Sequence, residues 1–198
     1  MTWLDEILEA NKKYLASGAV AQVPKDPIPG TRCLVTCFDP RVRWEATGAQ
    51  PLKGERVSLL AGGIPEIRTL AVSIYLTGTT EIAIMLHNNC GMTRIHNEPD
   101  RVIANMEKRN SPKKFEQIKA LIGDPFKERL AQWIGAYADP YARIKTLVET
   151  IKNHPLMPDD LIVHGLVYNI HTGKVEVAVN GYERRPSSRN LRCSIWLL

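Results

Sequence analysis

At 198 residues the chain is long enough to bury one substantial core and short for two, and its 44% hydrophobic and 24% charged content is that of an ordinary globule, not of a disordered or fibrous chain. No apolar run approaches the roughly 20 residues that cross a bilayer, and Met1-Thr2-Trp3-Leu4-Asp5 is not a basic-then-apolar leader, so the expectation is a cytoplasmic protein with no membrane partner. The net charge of +5 raises a nucleic-acid role, but +3 of it sits in residues 183–198, where Arg184, Arg185, Arg189 and Arg192 face Glu183; the remainder has no basic stripe interleaved with aromatics, and no nucleic-acid partner is expected.

Thr2 can cap a helix whose first turn carries Asp5 and Glu6, with Trp3, Leu4, Ile7, Leu8 and Leu15 recurring at helical spacing. A connector with Pro24, Pro27 and Pro29 follows and ends at Gly30, so residues 1–30 read as an amphipathic helix on a proline-rich arm, free to lie on a neighbouring copy or on its own subunit. A first strand runs from about Arg32 to Phe38. After Trp44, Gly48 and Pro51 a second apolar run, Val57-Ser58-Leu59-Leu60, meets Ala61-Gly62-Gly63, two glycines that suggest close backbone approach to a ligand or a strand. Pro65 suits a first helical turn, and Ile67, Leu70, Ala71, Ile74 and Tyr75 give one helix face stopped by Gly78. A buried strand, Glu81-Ile82-Ala83-Ile84-Met85-Leu86, then delivers His87 and Cys90 from its carboxyl end.

From Pro99 to Asn153 the pattern is helical, on faces marked by Val102, Ile103 and Met106, by Phe115, Ile118, Leu121 and Ile122, by Phe126, Leu130, Trp133, Ile134 and Tyr137, and by Ile144, Leu147, Val148 and Ile151. Leu161 to Ile170 reads as a long strand, His171-Thr172-Gly173-Lys174 as a turn, and Val175 to Val179 as its returning partner, a hairpin closing one side of the sheet. The expected fold class is therefore α/β, with a mixed, mainly parallel central sheet flanked by helices, an N-terminal helical arm and a C-terminal β-hairpin. The expected domains are a single unit over 1–182 and a basic tail over 183–198 that ends Ile195-Trp196-Leu197-Leu198.

Four cysteines are few for a disulfide scaffold. Cys37 and Cys90 each sit just past an apolar strand, and with His87 they make three zinc ligands that leave a fourth position open, the pattern of a catalytic site. Cys33 reads as a small core residue, and Cys193 carries no signal. Two thiolates leave Zn2+ with little residual charge, so its water is harder to deprotonate than in a three-histidine site and needs help. Asp39, two residues beyond Cys37, points the same way if the chain stays extended, and its carboxylate can accept a hydrogen bond from that water or ligate the metal itself. Arg41 can clamp it through a bidentate pair. His96, His154, His164 and His171 read as structural.

Cys37-Phe38-Asp39-Pro40-Arg41, Ala61-Gly62-Gly63, Ile67-Arg68-Thr69-Leu70-Ala71 and His87-Asn88-Asn89-Cys90-Gly91-Met92 closely resemble the β-class carbonic anhydrases, whose hallmarks are Cys-x-Asp-x-Arg and His-x-x-Cys. The match continues at His154-Pro155-Leu156-Met157-Pro158 and Gly165-Leu166-Val167-Tyr168, and the short form is most similar to the subgroup that includes carbonyl sulfide and carbon disulfide hydrolases. The resemblance implies zinc on Cys37, His87 and Cys90, a catalytic dyad of Asp39 and Arg41, and an obligate homodimer or higher oligomer embraced by the N-terminal helix. It implies a zinc-hydroxide enzyme acting with water on a small linear heterocumulene, as carbonic anhydrase on carbon dioxide, alternatively on carbonyl sulfide or carbon disulfide with release of hydrogen sulfide. A non-catalytic zinc scaffold is the remaining alternative. Leu59-Leu60 stand where the family usually has Arg-Asn, and Asn88-Asn89 where it has Thr-Asp. The expected pocket is therefore drier, bounded by Leu59, Leu60, Gly62, Gly63 and Gly91.

Overall fold

The structure is a computed structural model that describes residues 2–26 and 28–183. The expected basic tail, with its four arginines, Cys193 and its apolar ending, lies outside the described residues. Within them the chain forms a five-stranded sheet and seven α-helices. The strands are β1 (Arg32–Cys37), β2 (Arg56–Leu60), β3 (Glu81–His87), β4 (Ile162–Tyr168) and β5 (Val175–Val179), in spatial order β2-β1-β3-β4-β5. β1, β2, β3 and β4 pair in parallel, and β5 pairs antiparallel with β4. The mixed sheet closed by a hairpin is the expected one.

Central parallel strands are covered on both faces and read as continuous apolar runs. β3 illustrates the rule, since Ile82, Ile84, Met85, Leu86 and His87 are all fully buried. The covering helices include α2 (Ile67–Thr77), which contributes Leu70 and Ile74, and α7 (Pro140–Lys152), which contributes Ile144, Leu147, Val148 and Ile151 to one core. Both begin at a side-chain cap. The Glu66 carboxylate accepts from the backbone N–H of Arg68 at 3.2 Å and of Thr69 at 2.6 Å, and Asp139 accepts from Tyr141 at 3.1 Å and Ala142 at 3.0 Å. Pro65 thus lies one residue before the cap, not within the first turn, because Glu66 is the better partner for the free N–H groups.

Between these helices run α3 (Gly91–Asn97), α4 (Pro99–Arg109), α5 (Pro112–Ile122) and α6 (Phe126–Ile134). α3 is a helix that periodicity did not reveal, because at 7 residues it is too short to show a repeating face. α6 ends at Ile134, where Gly135 takes a left-handed conformation at φ +81°. Tyr137 is therefore not on that helix, as its spacing suggested; it belongs to the connection into α7. α1 (Trp3–Ala16) has the capping box anticipated from Thr2 and Asp5, with the Thr2 N–H donating to Asp5 at 2.7 Å. Its apolar face is uncovered in the single chain, with Trp3 78% and Leu4 62% exposed.

Candidate metal centre

The topology builds the site. From β1 the chain moves to β2 on one side, then returns through α2 to β3 on the other, so β1 and β3 are neighbours whose onward connections diverge. A crevice opens at the carboxyl ends of such a pair. β1 ends at Cys37 and β3 at His87, with Cys90 three residues further at the start of α3. Register fixes the two strands against each other, pairing Val35 with Ile84 and Thr36 with Met85, and the buried Thr36 hydroxyl donates to the Met85 carbonyl at 2.9 Å.

The sulfurs of Cys37 and Cys90 and a ring nitrogen of His87 consequently lie within 4.8 Å of one another, all three side chains buried. His87 Nδ1 is 2.9 Å from the Asn88 carbonyl, which makes that nitrogen the donor. Nε2 is then left with a lone pair, buried and without a hydrogen-bond partner. An orphaned nitrogen facing two sulfurs is the donor set of a soft or borderline cation, and it fits zinc. The two thiols titrate as a pair. The hydrogen bond between them is the main cause, raising Cys37, with burial adding to it, and lowering Cys90, which also faces His87, Tyr137 and the Met92 N–H.

Beyond Cys37 the chain does not stay extended. It turns, with the Asp39 carbonyl accepting from Val42 N–H at 2.9 Å and Asp39 Oδ1 accepting from Arg41 N–H at 3.0 Å. That turn folds Arg41 back on the carboxylate in a bidentate pair, Nε to Oδ1 at 2.9 Å and Nη2 to Oδ2 at 2.6 Å. The pair holds the Asp39 carboxyl well below the usual carboxylate range, the Arg41 side-chain hydrogen bonds being the chief cause. Asp39 stands apart from the three-residue cluster, though its own N–H donates to the Cys37 sulfur at 3.4 Å. Arg41 Nη2 also donates to the Asn89 carbonyl at 3.0 Å, tying the loop after β1 to the loop after β3.

Asn88 and Asn89 have structural work of their own. Asn89 is the one non-glycine residue among those described with positive φ, at 53°, a conformation asparagine tolerates better than most. The Asn88 side-chain oxygen accepts from Ile170 N–H at 2.9 Å, which pins the His87 loop to the hairpin turn. Leu59 lines a cleft of about 240 Å³ with Cys37, Phe38, Asp39, Pro40, Val42 and Trp44, and with the charged Arg43 and Glu45. Leu60 packs on the core instead. A larger cavity of about 430 Å³, lined by Arg32, Lys53 and Glu55, contains none of these site residues.

The glycine question resolves toward protein neighbours. A β-carbon on Gly62 would meet Met92 Cγ at 2.5 Å, and one on Gly63 would meet the Met85 carbonyl at 3.1 Å and Cys37 N at 3.3 Å. Gly91 has nothing within 4 Å of such a position and is exposed. Of the histidines read as structural, His164 Nε2 binds Glu81 at 2.9 Å and His154 Nδ1 accepts from Leu156 N–H at 3.1 Å, while His96 and His171 are exposed. Tyr137, buried beside Cys90, is the site-proximal residue that sequence reasoning missed, and the break at Gly135 was the available signal.

Cys-x-Asp-x-Arg and His-x-x-Cys motifs meeting at a switch-point crevice are the features that comparison with known proteins bears on. The chain belongs to the β-carbonic anhydrase family. It is similar to the crystal structure of β-carbonic anhydrase isoform I from Trichomonas vaginalis, with 33% identity and a TM-score of 0.75 over 92% of this chain and 100% of that one. A carbon disulfide hydrolase from an Acidianus strain is 26% identical over 182 residues, 87% of this chain and 89% of that protein. An apo carbon disulfide hydrolase structure aligns with 27% identity and a TM-score of 0.59 over 87% and 90% of the two chains. No family model matches the sequence.

Proposed function

We propose that the protein is an enzyme adding water to a small linear heterocumulene, most simply carbon dioxide, which becomes bicarbonate and a proton. The observation that carries this reading is the buried His87 Nε2 facing the sulfurs of Cys37 and Cys90, beside a bidentate Asp39–Arg41 pair. Cys37, His87 and Cys90 would hold zinc, and the metal would supply the Lewis acidity that makes water nucleophilic near neutral pH. The chain's own groups do the rest. Asp39, kept ionised and oriented by Arg41, accepts a hydrogen bond from the attacking water and so aims an oxygen lone pair at the substrate carbon. Arg41 is held in turn by the Asn89 carbonyl, so the carboxylate is fixed to both site loops. Phe38, Pro40, Trp44 and Leu59 supply apolar surface to a cleft that Asp39, Arg43 and Glu45 also line.

A second reading is carbonyl sulfide hydrolysis, in which the same oxygen bonds to the central carbon, the carbon–sulfur bond breaks, and carbon dioxide and hydrogen sulfide leave. The apolar Leu59 beside Cys37 and Asp39 favours it, as do relatives named carbon disulfide hydrolase. The ratio of kcat/KM for carbonyl sulfide to that for carbon dioxide on one zinc-loaded preparation decides the matter. A value well above one assigns the pocket to the sulfur compound, a value well below one makes the protein a carbonic anhydrase, and two undetectable rates leave a zinc scaffold. We read residues 1–182 as one catalytic domain acting in the cytoplasm as a homodimer or larger assembly. The exposed face of α1 and the exposed Val72, Tyr75 and Leu76 of α2 support association.

A further inference from the structure

Tyr137 lies between α6 and α7, 6% exposed, in the same apolar cluster as Cys37, Cys90 and Met92. That packing accounts for its ring and leaves its hydroxyl unexplained. The oxygen is buried and has no hydrogen-bond partner, a cost that phenylalanine in the same space would avoid. Cys90 is beside it: burial pushes the Tyr137 hydroxyl up from its ordinary pKa, and a side-chain interaction with Cys90 adds to the rise. The hydroxyl is thus a neutral side-chain donor stationed, with the Met92 N–H, beside a sulfur that must become an anion to hold a metal. We propose that Tyr137 is a positioning residue whose hydroxyl donates a hydrogen bond to the Cys90 thiolate when the cluster is loaded.

The inference rests on the reading of Cys37, His87 and Cys90 as zinc ligands. Two thiolates and an imidazole cancel the charge of the ion and blunt its action on water. A hydrogen bond to one sulfur draws electron density back from the metal, so the Tyr137 contact restores part of the Lewis acidity that a two-cysteine set gives away.

Cobalt(II) in place of zinc reports sulfur donation directly through its thiolate-to-metal charge-transfer absorption. In Tyr137→Phe that band moves to lower energy than in the wild type, because a sulfur without the hydrogen bond gives up an electron more easily. Zinc affinity, measured by chelator competition, falls on the order of tenfold. Otherwise unaltered protein grown with 3-fluorotyrosine, whose hydroxyl is a stronger donor, moves the band the opposite way and decides the matter even if Tyr137→Phe does not fold. A band that stays in place in either protein overturns the proposal, whatever the affinity does. A wild-type protein showing no thiolate charge-transfer band with cobalt overturns the ligand reading and this inference with it, so the two failures are distinguishable.

Discussion

Gly62→Ala tests whether the loop after β2 is held by Met92. The new methyl meets two obstacles that can be separated. Gly62 has φ +63°, where a β-carbon costs about 1–2 kcal/mol. That β-carbon would also lie 2.5 Å from Met92 Cγ, an overlap that adds about 1–3 kcal/mol. The single variant should lose about 2–5 kcal/mol on these two grounds. Met92→Ala removes a buried side chain and costs about 2–5 kcal/mol by itself. In that background Gly62→Ala retains only the backbone penalty, so the double-mutant cycle should show a coupling of about 1–3 kcal/mol in favour of the pair. Urea unfolding at one protein concentration, with chelator in excess so that metal linkage does not enter, measures it. Gly63→Ala is the control: its β-carbon faces the backbone at Met85 and Cys37 as well as the Leu86 side chain, and Met92→Ala should not rescue it. A coupling under about 0.5 kcal/mol for Gly62, within ordinary additivity, would refute the reasoning.

Asp39→Ala should lower kcat on the order of a hundredfold or more while zinc content and melting behaviour hold, as read by stopped-flow hydration and metal analysis; a rate within a few-fold of wild type would remove Asp39 from the chemistry. Chelation should abolish turnover and lower Tm, and added zinc should restore both; turnover that survives verified metal removal would contradict the assignment of Cys37, His87 and Cys90. Glu66→Ala should cost about 1 kcal/mol at pH 7 through loss of the α2 cap. The Thr69 side-chain hydrogen bond is the main cause that lowers the folded pKa of Glu66 below its ordinary value, so this contribution is present above the unfolded pKa and fades as pH falls through the lowered folded one. Denaturation midpoints of the two proteins should therefore converge in acid, and a gap that widened there would count against the cap.

Much of this was legible because it is encoded locally. Cys37 and His87 end apolar β-branched runs, and such runs become parallel strands whose carboxyl ends share one edge of the sheet, so two motifs distant in sequence can be placed together from the sequence alone. The Asp39–Arg41 pair was legible as composition and illegible as geometry. An extended chain was the natural extrapolation from β1, yet the Asp39 side chain competes for the backbone N–H of Arg41 and makes a turn. Asn88 and Asn89 showed only as a departure from the family's Thr-Asp, and in the fold they serve as a brace to Ile170 and a left-handed corner under Arg41. Tyr137 was hidden for a different reason. Its spacing continues the apolar face of α6, and only the left-handed Gly135 shows that the chain has already left the helix.

The three donors come from different parts of the chain. Cys37 and Cys90 are brought together by the pairing of β1 with β3, whose buried residues Val35, Ile82, Ile84 and Leu86 lie outside the Cys37–His87–Cys90 group. The frame of the pocket is thus built from the hydrophobic core, unlike small domains in which the metal itself supplies the folding energy. On the proposed reading, occupancy would then be a matter of supply and exchange: a chain made without the metal should fold and be loaded afterwards, which native-like circular dichroism of the chelated protein would check.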